Sequence, residues 1–329
     1  MGQDRLFTHP SGRPLSIVVV GDVMLDVYRV GSAVRISPEA PVPVLLNPTV
    51  EYRLGGAGAV AAMCKALGAD VTLIGVIGCD RNGEIVRELV EALGIVCKLS
   101  MSPAPRPTTT KERICGVASG RHRQQLARVD TESTQPISRA EAAGLAGLIQ
   151  SAVPDVVILS DYRKGVCVES IVSACCATKA PVFVDPARGV DLDKYLGLAC
   201  IVPNREEAGS KSARNLMRQL HTQAVVVKLD QDGCELATLH HARQTFPARA
   251  RVVHDVTGAG DQFIATLTCA RAAGIDWPEA TELANAAAGL QVERHGCVPV
   301  TAAELITEMN HADRNRNAPT PEVVECVAP

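Results

Sequence analysis

Short apolar runs recur along this chain with helix-like text between them, and that alternation restricts it to few architectures. The runs lie at 17–20, 71–77, 156–159, 182–185, 200–202 and 224–229, and each is followed within two residues by Gly, Asp or Pro. Helical periodicity fills the intervals at 58–67, 83–93, 138–151, 167–178 and 205–219, and continues at 259–273, 277–293 and 301–310. Strand text alternating with helix text implies parallel strands joined by crossover helices: an α/β, doubly wound, mostly parallel sheet flanked by helices. Two stretches break the rhythm. At 28–53, Pro38, Pro41, Pro43 and Pro48 alternate with Val42, Val44 and Leu46, a pattern of short exposed or edge strands, and 108–130 reads similarly. They are predicted to form one small β-sheet lid on a single domain spanning 15–310, with a disordered polar tail at 311–329.

Composition narrows the function. With 329 residues, 47% of them apolar, the chain has ample material for a large core. One Trp, four Tyr and four Phe are too few for a platform that stacks single-stranded nucleic acid. A net charge of −3 gives no broad basic field for nucleic acid or a membrane surface. No window approaches the roughly 18 apolar residues of a membrane span, and the polar N-terminus lacks a secretion signal. Twelve cysteines occur without a C-x-x-C pair, which reads as reduced thiols in a cytoplasmic protein rather than a zinc or redox site. Small-molecule chemistry is the expectation.

The strongest chemical signal is Asp255-Val256-Thr257-Gly258-Ala259-Gly260-Asp261, followed by the apolar text of a helix. Gly258, Ala259 and Gly260 at a helix start leave backbone N–H groups uncovered, where the helix dipole favours an anion. Asp261, in the first turn, is placed to take a proton from a substrate hydroxyl. An anion hole and a base in one segment suit phosphoryl transfer from a nucleotide to an alcohol. Asp22 and Asp26 follow the first strand, where open α/β sheets bind ligands. Gly55-Gly56-Ala57-Gly58 reads as close backbone approach to a small ligand; its formal match to the dinucleotide fingerprint follows Pro-rich text instead of the leading strand. Asn204 and Glu207 admit two readings, a hold on hydrated magnesium or a helix N-cap with its capping-box partner. Asp185 is either a third carboxylate on the same edge or a turn residue. Basic residues gather in the lid text at Arg35, Arg53, Lys111, Arg113, Arg121, Arg123 and Arg128, which suits an anionic substrate such as a sugar phosphate.

The run at 255–261, GG at 55–56 and PNREE at 203–207 together resemble the ribokinase-like (PfkB) carbohydrate kinases over about 15–310. GDVMLD at 21–26, RISPEAPVPV at 35–44, TTTKERI at 108–114, RQQLARVD at 123–130 and LSDYRKG at 159–165 are similar to a branch that phosphorylates a heptose 7-phosphate at O1, giving the 1,7-bisphosphate for lipopolysaccharide precursors. The resemblance implies ATP and Mg2+ as cofactors, with Asp261 as base and 258–260 as anion hole. It implies that Asp26, Gly55 and Gly56 hold sugar hydroxyls; the basic lid cluster adds Arg35, Lys111, Arg113 and Arg128 as candidate substrate-binding residues. Asn204 and Glu207 would organise Mg2+, Glu207 through water, while Lys228, Gly233, Asn285 and Gly289 would line the nucleotide pocket. Asp255, Thr257 and the loop around Gly296 resemble the K+ site of some members. A homodimer paired through the lid is also implied. Three departures stand out: Ala59 and Val60 where members have a sugar-binding Asn, Lys228 where many have a hydroxyl, and Asp185-Pro186-Ala187-Arg188-Gly189 in place of DPKG. The text contains no His-x-Gly-His nucleotidyltransferase mark, so a single-function kinase is expected. The alternatives are a kinase for another sugar or sugar phosphate, and a non-catalytic sugar- or nucleotide-binding relative.

Overall fold

The fold rests on strands that are apolar on both sides. In a computed structural model, which describes residues 6–102, 105–117, 123–240, 243–249 and 253–316 with the side chains of 312–316 excepted, every strand of this kind lies inside one sheet. β1 (Ser16–Gly21) passes through Asp22 into β2 (Val23–Ile36), which returns as β3 (Pro43–Gly56) and runs directly into α1 (Ala57–Ala66). β4 (Asp70–Gly78), α2 (Arg81–Ala92), β5 (Val96–Ser102), β6 (Thr109–Val117) and β7 (Gln124–Thr131) follow. Then come α3 (Arg139–Ser151), β8 (Val156–Ser160), α4 (Glu169–Cys176), β9 (Val182–Asp185) and β10 (Cys200–Ile201). The chain continues through α5 (Arg205–Ala208), α6 (Ala213–Leu220), β11 (Ala224–Lys228), β12 (Cys234–Thr238) and β13 (Gln244–Phe246). α7 (Ala259–Ala272), α8 (Trp277–Val292) and α9 (Ala302–Arg316) complete it.

The main sheet has nine strands in the order β13-β12-β11-β10-β9-β8-β1-β4-β5, parallel from β11 to β5 and antiparallel at the β12–β13 edge. Alternate residues point to opposite layers. Ile17 and Val19 of β1 pack with α1, α7 and α8, whereas Val18 and Val20 pack with α3, α4 and α6. The described cysteines are free thiols, most of them buried in these layers.

A second sheet, ordered β3-β2-β6-β7, contains both lid stretches. It is spliced into the main fold at two junctions, between β1 and α1 and between β5 and α3. β2 and β3 run beyond the anticipated 28–53 because they continue to the main sheet, while β6 and β7 fall within one residue of the anticipated 108–130. Three further corrections apply. The helix anticipated at 205–219 is two helices: Gly209, at φ 60, closes α5, and Ser212 caps α6 by accepting the N–H of Asn215. β5, β12 and β13 went unpredicted. α9 continues to Arg316, so 311–316 is helical where a disordered tail was anticipated, while 317–329, Cys326 and Arg121 lie outside the described residues. No described helix is long and apolar enough to cross a membrane.

Asp22 joins the two sheets. Its backbone N–H donates to Ser160 O at the end of β8, and its carbonyl accepts from Ala57 N at the start of α1. Its carboxylate, almost wholly buried, accepts the N–H groups of Tyr162, Lys164 and Val166 at 2.8–3.0 Å. Removing it leaves three N–H donors, one of them fully buried, without their acceptor. Asp22→Ala is therefore expected to cost about 3 to 5 kcal/mol, read as a lowered urea midpoint with unchanged slope.

Candidate active site

The carboxyl ends of β1, β8, β9, β10 and β11 converge beside the first turn of α7, at the point where strand order reverses around β1. Asp22 follows β1, Tyr162 follows β8, Asp185 ends β9, Asn204 follows β10 and Lys228 ends β11. The turn that Asp22 holds presents Tyr162, whose hydroxyl donates to Asp261 Oδ1 at 2.7 Å.

α7 starts at Gly258, in the left-handed region at φ 82, with no side chain capping it. A Cβ at Gly258 would meet Cys297 Sγ at 2.6 Å, so the turn tolerates only glycine. Ala259 N–H makes a long turn bond to Val256 O, while the N–H groups of Gly260 and Asp261 precede the first intrahelical bond, Gln262 N to Gly258 O. Lys228 Nζ lies 3.2 Å and Asp185 Oδ2 3.9 Å from where a Cβ of Gly260 would be, which brings an ammonium to the first turn of α7. Lys228 Nζ donates to Asp185 Oδ1 at 2.6 Å.

Negative charge is in excess here. Burial, then the Asp185 carboxylate, pushes Asp261 up to about 7, although the Tyr162 hydrogen bond and Lys228 oppose the shift. Glu207 is likewise pushed up to about 7, by burial and then by Asp185. Burial works against the Lys228 ammonium, yet Asp185 and Glu207 outweigh it and raise its pKa. Both readings of Asn204 and Glu207 are compatible with the geometry. They form a complete capping box at the start of α5, with Glu207 Oε2 accepting Asn204 N at 2.7 Å and Oε1 accepting Asn204 Nδ2 at 2.6 Å. Each carboxylate oxygen keeps a lone pair, and carboxylates this short of positive charge fit a hydrated divalent cation.

The lid supplies the opposite wall. Direct pairing puts Asp26, Arg53 and Lys111 on one face together with Tyr28 and Arg113. Arg113 donates to Asp26 Oδ1 at 2.8 Å in a buried pair, and both Arg113 and Arg53 stand 5.1 Å from the centre of the Tyr28 ring. Gly55 backs onto Asp26, with its Cβ position 3.3 Å from the carboxylate, and Gly56 is pressed against Asp22 O. Lys111 Nζ sits 5.3 Å from the centre of the Tyr162 ring. Arg53 and Arg123 pair with Glu51, and Arg128 with Asp130, whereas Lys111 has no carboxylate partner among the described residues. The two remaining anticipated lid ligands are placed differently. Arg35 lies near the far, exposed end of β2, nine residues past Asp26, roughly 30 Å along an extended strand. Arg128 is exposed on the outer strand β7 and already neutralised.

Of the residues anticipated to line a nucleotide pocket, Gly233 turns the β11–β12 hairpin against Phe246 O, Asn285 Nδ2 donates to Pro247 O at 2.7 Å, and Gly289 is buried within α8. Ala59 and Val60, at the positions of the missing Asn, face the core under α1. The anticipated K+ groups are bonded within the protein. Asp255 accepts the N–H groups of Thr257 and Gly296, each at 2.9 Å, and the carbonyls of Thr257 and Gly296 both accept from the Gln291 amide. Burial works against the Asp255 carboxylate, but those hydrogen bonds outweigh it and lower its pKa. Asp22, Asp161 and Cys167 approach one another closely enough to suggest a metal, but Asp22 is taken by three N–H groups and Asp161 by Arg163 N, Lys194 Nζ and Tyr195 Oη. Tyr162 and Gln291 escaped the sequence reading. The signals were a tyrosine just past a strand end in LSDYRKG and a lone amide in the apolar text of α8.

Similarity to known proteins agrees with this geometry. The pattern of the pfkB family carbohydrate kinases matches residues 14–303. A D-beta-D-heptose 7-phosphate kinase of Bordetella bronchiseptica is 41% identical over 306 residues, 89% of this chain and 95% of that protein. The bifunctional protein HldE of Methylobacillus flagellatus is 38% identical over 93% of this chain, which spans 65% of that longer protein. Among solved structures, Escherichia coli phosphofructokinase-2 in complex with potassium superposes with a TM-score of 0.75 over 91% of this chain and 100% of its own, at 16% identity. Arabidopsis thaliana ribokinase complexed with ribose and ATP gives 0.64 over 90% and 99%, at 19% identity, so these two share the fold. With the family pattern spanning nearly the whole chain, the protein belongs to the pfkB family of carbohydrate kinases.

Proposed function

We propose that this kinase transfers the γ-phosphoryl group of ATP to O1 of D-glycero-β-D-manno-heptose 7-phosphate, giving the 1,7-bisphosphate. The observation that carries the reading is the 41% identity, over 89% of the chain, to a heptose 7-phosphate kinase. The site suits the reaction. Asp26 and the backbone at Gly55 and Gly56 orient the sugar, and Lys111, beside the Tyr162 ring and without a carboxylate partner among the described residues, meets its phosphate. Arg113 acts indirectly by holding Asp26. Tyr162 occupies Oδ1 of Asp261, leaving Oδ2 to accept the O1 proton as O1 attacks the γ-phosphorus and the bond to the β-phosphate oxygen breaks. The N–H groups of the first turn of α7 and the Lys228 ammonium stabilise the charge on the migrating phosphoryl group. The flank at Gly233, Asn285 and Gly289 takes the nucleotide. Asp185, Asn204 and Glu207 would hold Mg2+ through water, and that ion, when bound, shields the phosphate charge. Pairing of two copies through the lid would cover its exposed apolar residues, among them Val34, Ile36 and Val129.

Coupled ADP release with Mg-ATP and a panel of sugar phosphates tests the reading. Turnover on heptose 7-phosphate supports it, turnover only on another sugar phosphate moves the substrate, and none at all favours a binding protein. Asp261→Asn is expected to lose roughly 10²- to 10⁴-fold in kcat while still binding ligand. The same variant is expected to be more stable by about 1–3 kcal/mol at pH 8, measured by urea unfolding. The folded-state pKa of Asp261, about 7, lies above that of an unfolded aspartate. Ionising it therefore costs stability, a penalty absent below about pH 4 and complete above about pH 7.

For the sugar, kcat/KM should rise with pH through a midpoint of about 7 as Asp261 loses its proton. Tyr162→Phe removes a hydrogen bond to the carboxylate and should move that midpoint up by about one pH unit. An unmoved midpoint would reduce Tyr162 to a packing residue. Lys111→Met should raise KM for the sugar phosphate about ten-fold or more and leave KM for ATP unchanged, by steady-state assay.

A further inference from the structure

Two side chains tie the segment entering the anion hole to the loop after α8. Asp255 reaches across with both oxygens, Oδ1 to Thr257 N and Oδ2 to Gly296 N. From the other side Gln291, wholly buried near the end of α8, donates through Nε2 to the carbonyls of Gly296 at 2.8 Å and Thr257 at 3.3 Å. Its Oε1 is buried without a partner. That asymmetry fixes the amide's orientation, because turning it over would aim Oε1 at two carbonyl oxygens. An unpaired buried oxygen is costly, so the position is strained in favour of a donor. Carbonyl oxygens converging on one point are satisfied either by a dehydrated monovalent cation or by an N–H2 group with its two donors.

We propose that the Gln291 amide stands where a monovalent cation would otherwise sit, so that this kinase keeps its anion hole rigid without K+. The loop it secures packs directly on the hole: Cys297 Sγ lies 2.6 Å from the Cβ position of Gly258. Loosening the loop would therefore displace the N–H groups that receive the phosphoryl group. The amide differs from an ion in one respect: it is covalently fixed and cannot be washed out. Its strength does not vary with the salt in the medium. The inference rests on the assignment of 258–260 as the phosphoryl site, but its physical content, an internal donor in place of an ion, can be read without catalysis.

The wild-type chain, Gln291→Met and Gln291→Ala are compared in tetramethylammonium chloride and in KCl of equal ionic strength. Turnover is measured with Mg-ATP and whichever sugar phosphate the wild type uses, and thermal unfolding without either. The wild type should show turnover within about two-fold and the same unfolding midpoint in both salts, since an ion that does not bind cannot stabilise. The variants should lose about ten-fold or more in kcat in tetramethylammonium and regain much of it in KCl, because a misplaced site slows the chemistry. Their unfolding midpoints should rise in KCl. Methionine keeps the volume of glutamine without its donors, and alanine leaves room for an ion. The proposal is overturned if KCl activates or stabilises the wild type, if Gln291→Met matches the wild type without K+, or if both variants are impaired and indifferent to KCl. A protein that turns over no sugar phosphate would defeat the functional reading, and the unfolding measurements would still decide the role of Gln291.

Discussion

The buried Asp22 carboxylate is the constraint on which the other parts depend. It sits one residue past β1, and its three backbone donors come from the turn after β8. That turn could not hold its shape with those N–H groups unpaired, because buried donors without acceptors are strongly unfavourable. Fixing the turn fixes Tyr162, and Tyr162 fixes one oxygen of Asp261. The same residue's backbone bonds the end of β8 and the start of α1. One short polar side chain thus sets the distance between the lid junction, the strand ends and the catalytic helix.

Around that frame the charges are deliberately unbalanced. Asp185, Glu207 and Asp261 share a single ammonium, Lys228, and burial, reinforced by the Asp185 charge, leaves Glu207 and Asp261 holding their protons more tightly than ordinary acids. Such an arrangement is unfavourable for the empty protein and favourable once cations and a phosphate enter, the usual conflict between stability and activity at a catalytic site. The lid shows the opposite habit. Most of its cations are already matched to carboxylates, which holds the wall in shape and leaves Lys111 available.

Much of this was legible in the sequence because two-sided burial imposes a recognisable text. Strands such as 17–20 and 156–159 are apolar at every position, and the interposed helices carry their own period. β5, β12 and β13 lie towards the sheet margins, where the demand for continuous apolar residues relaxes and the signal weakens. The break between α5 and α6 depends on Gly209 adopting a positive φ, which composition permits but does not require. In the site, Asp261 and the glycines before it were identifiable because their chemistry is local. Tyr162 and Gln291 were not, since their partners lie 99 and 34 residues away in sequence and only the fold brings them together. Arg35 shows the converse: it is close to Asp26 in the text, yet it lies near the exposed far end of β2, past two shifts in the strand's register.

The splicing of the lid into two separate junctions also bears on how the chain assembles. Asp26 and Arg113, which meet across β2 and β6, are 87 residues apart in sequence, and the whole β4–α2–β5 unit lies between them. Closing that interval costs chain entropy before any contact compensates for it, which delays the docking of β6 on the local β2–β3 hairpin. Until β6 arrives, one edge of that hairpin has unpaired backbone groups beside exposed Val34 and Ile36. The order of synthesis therefore leaves a sticky, half-built sheet on the nascent chain, and the interval before β6 docks is when this protein is most exposed to misassociation.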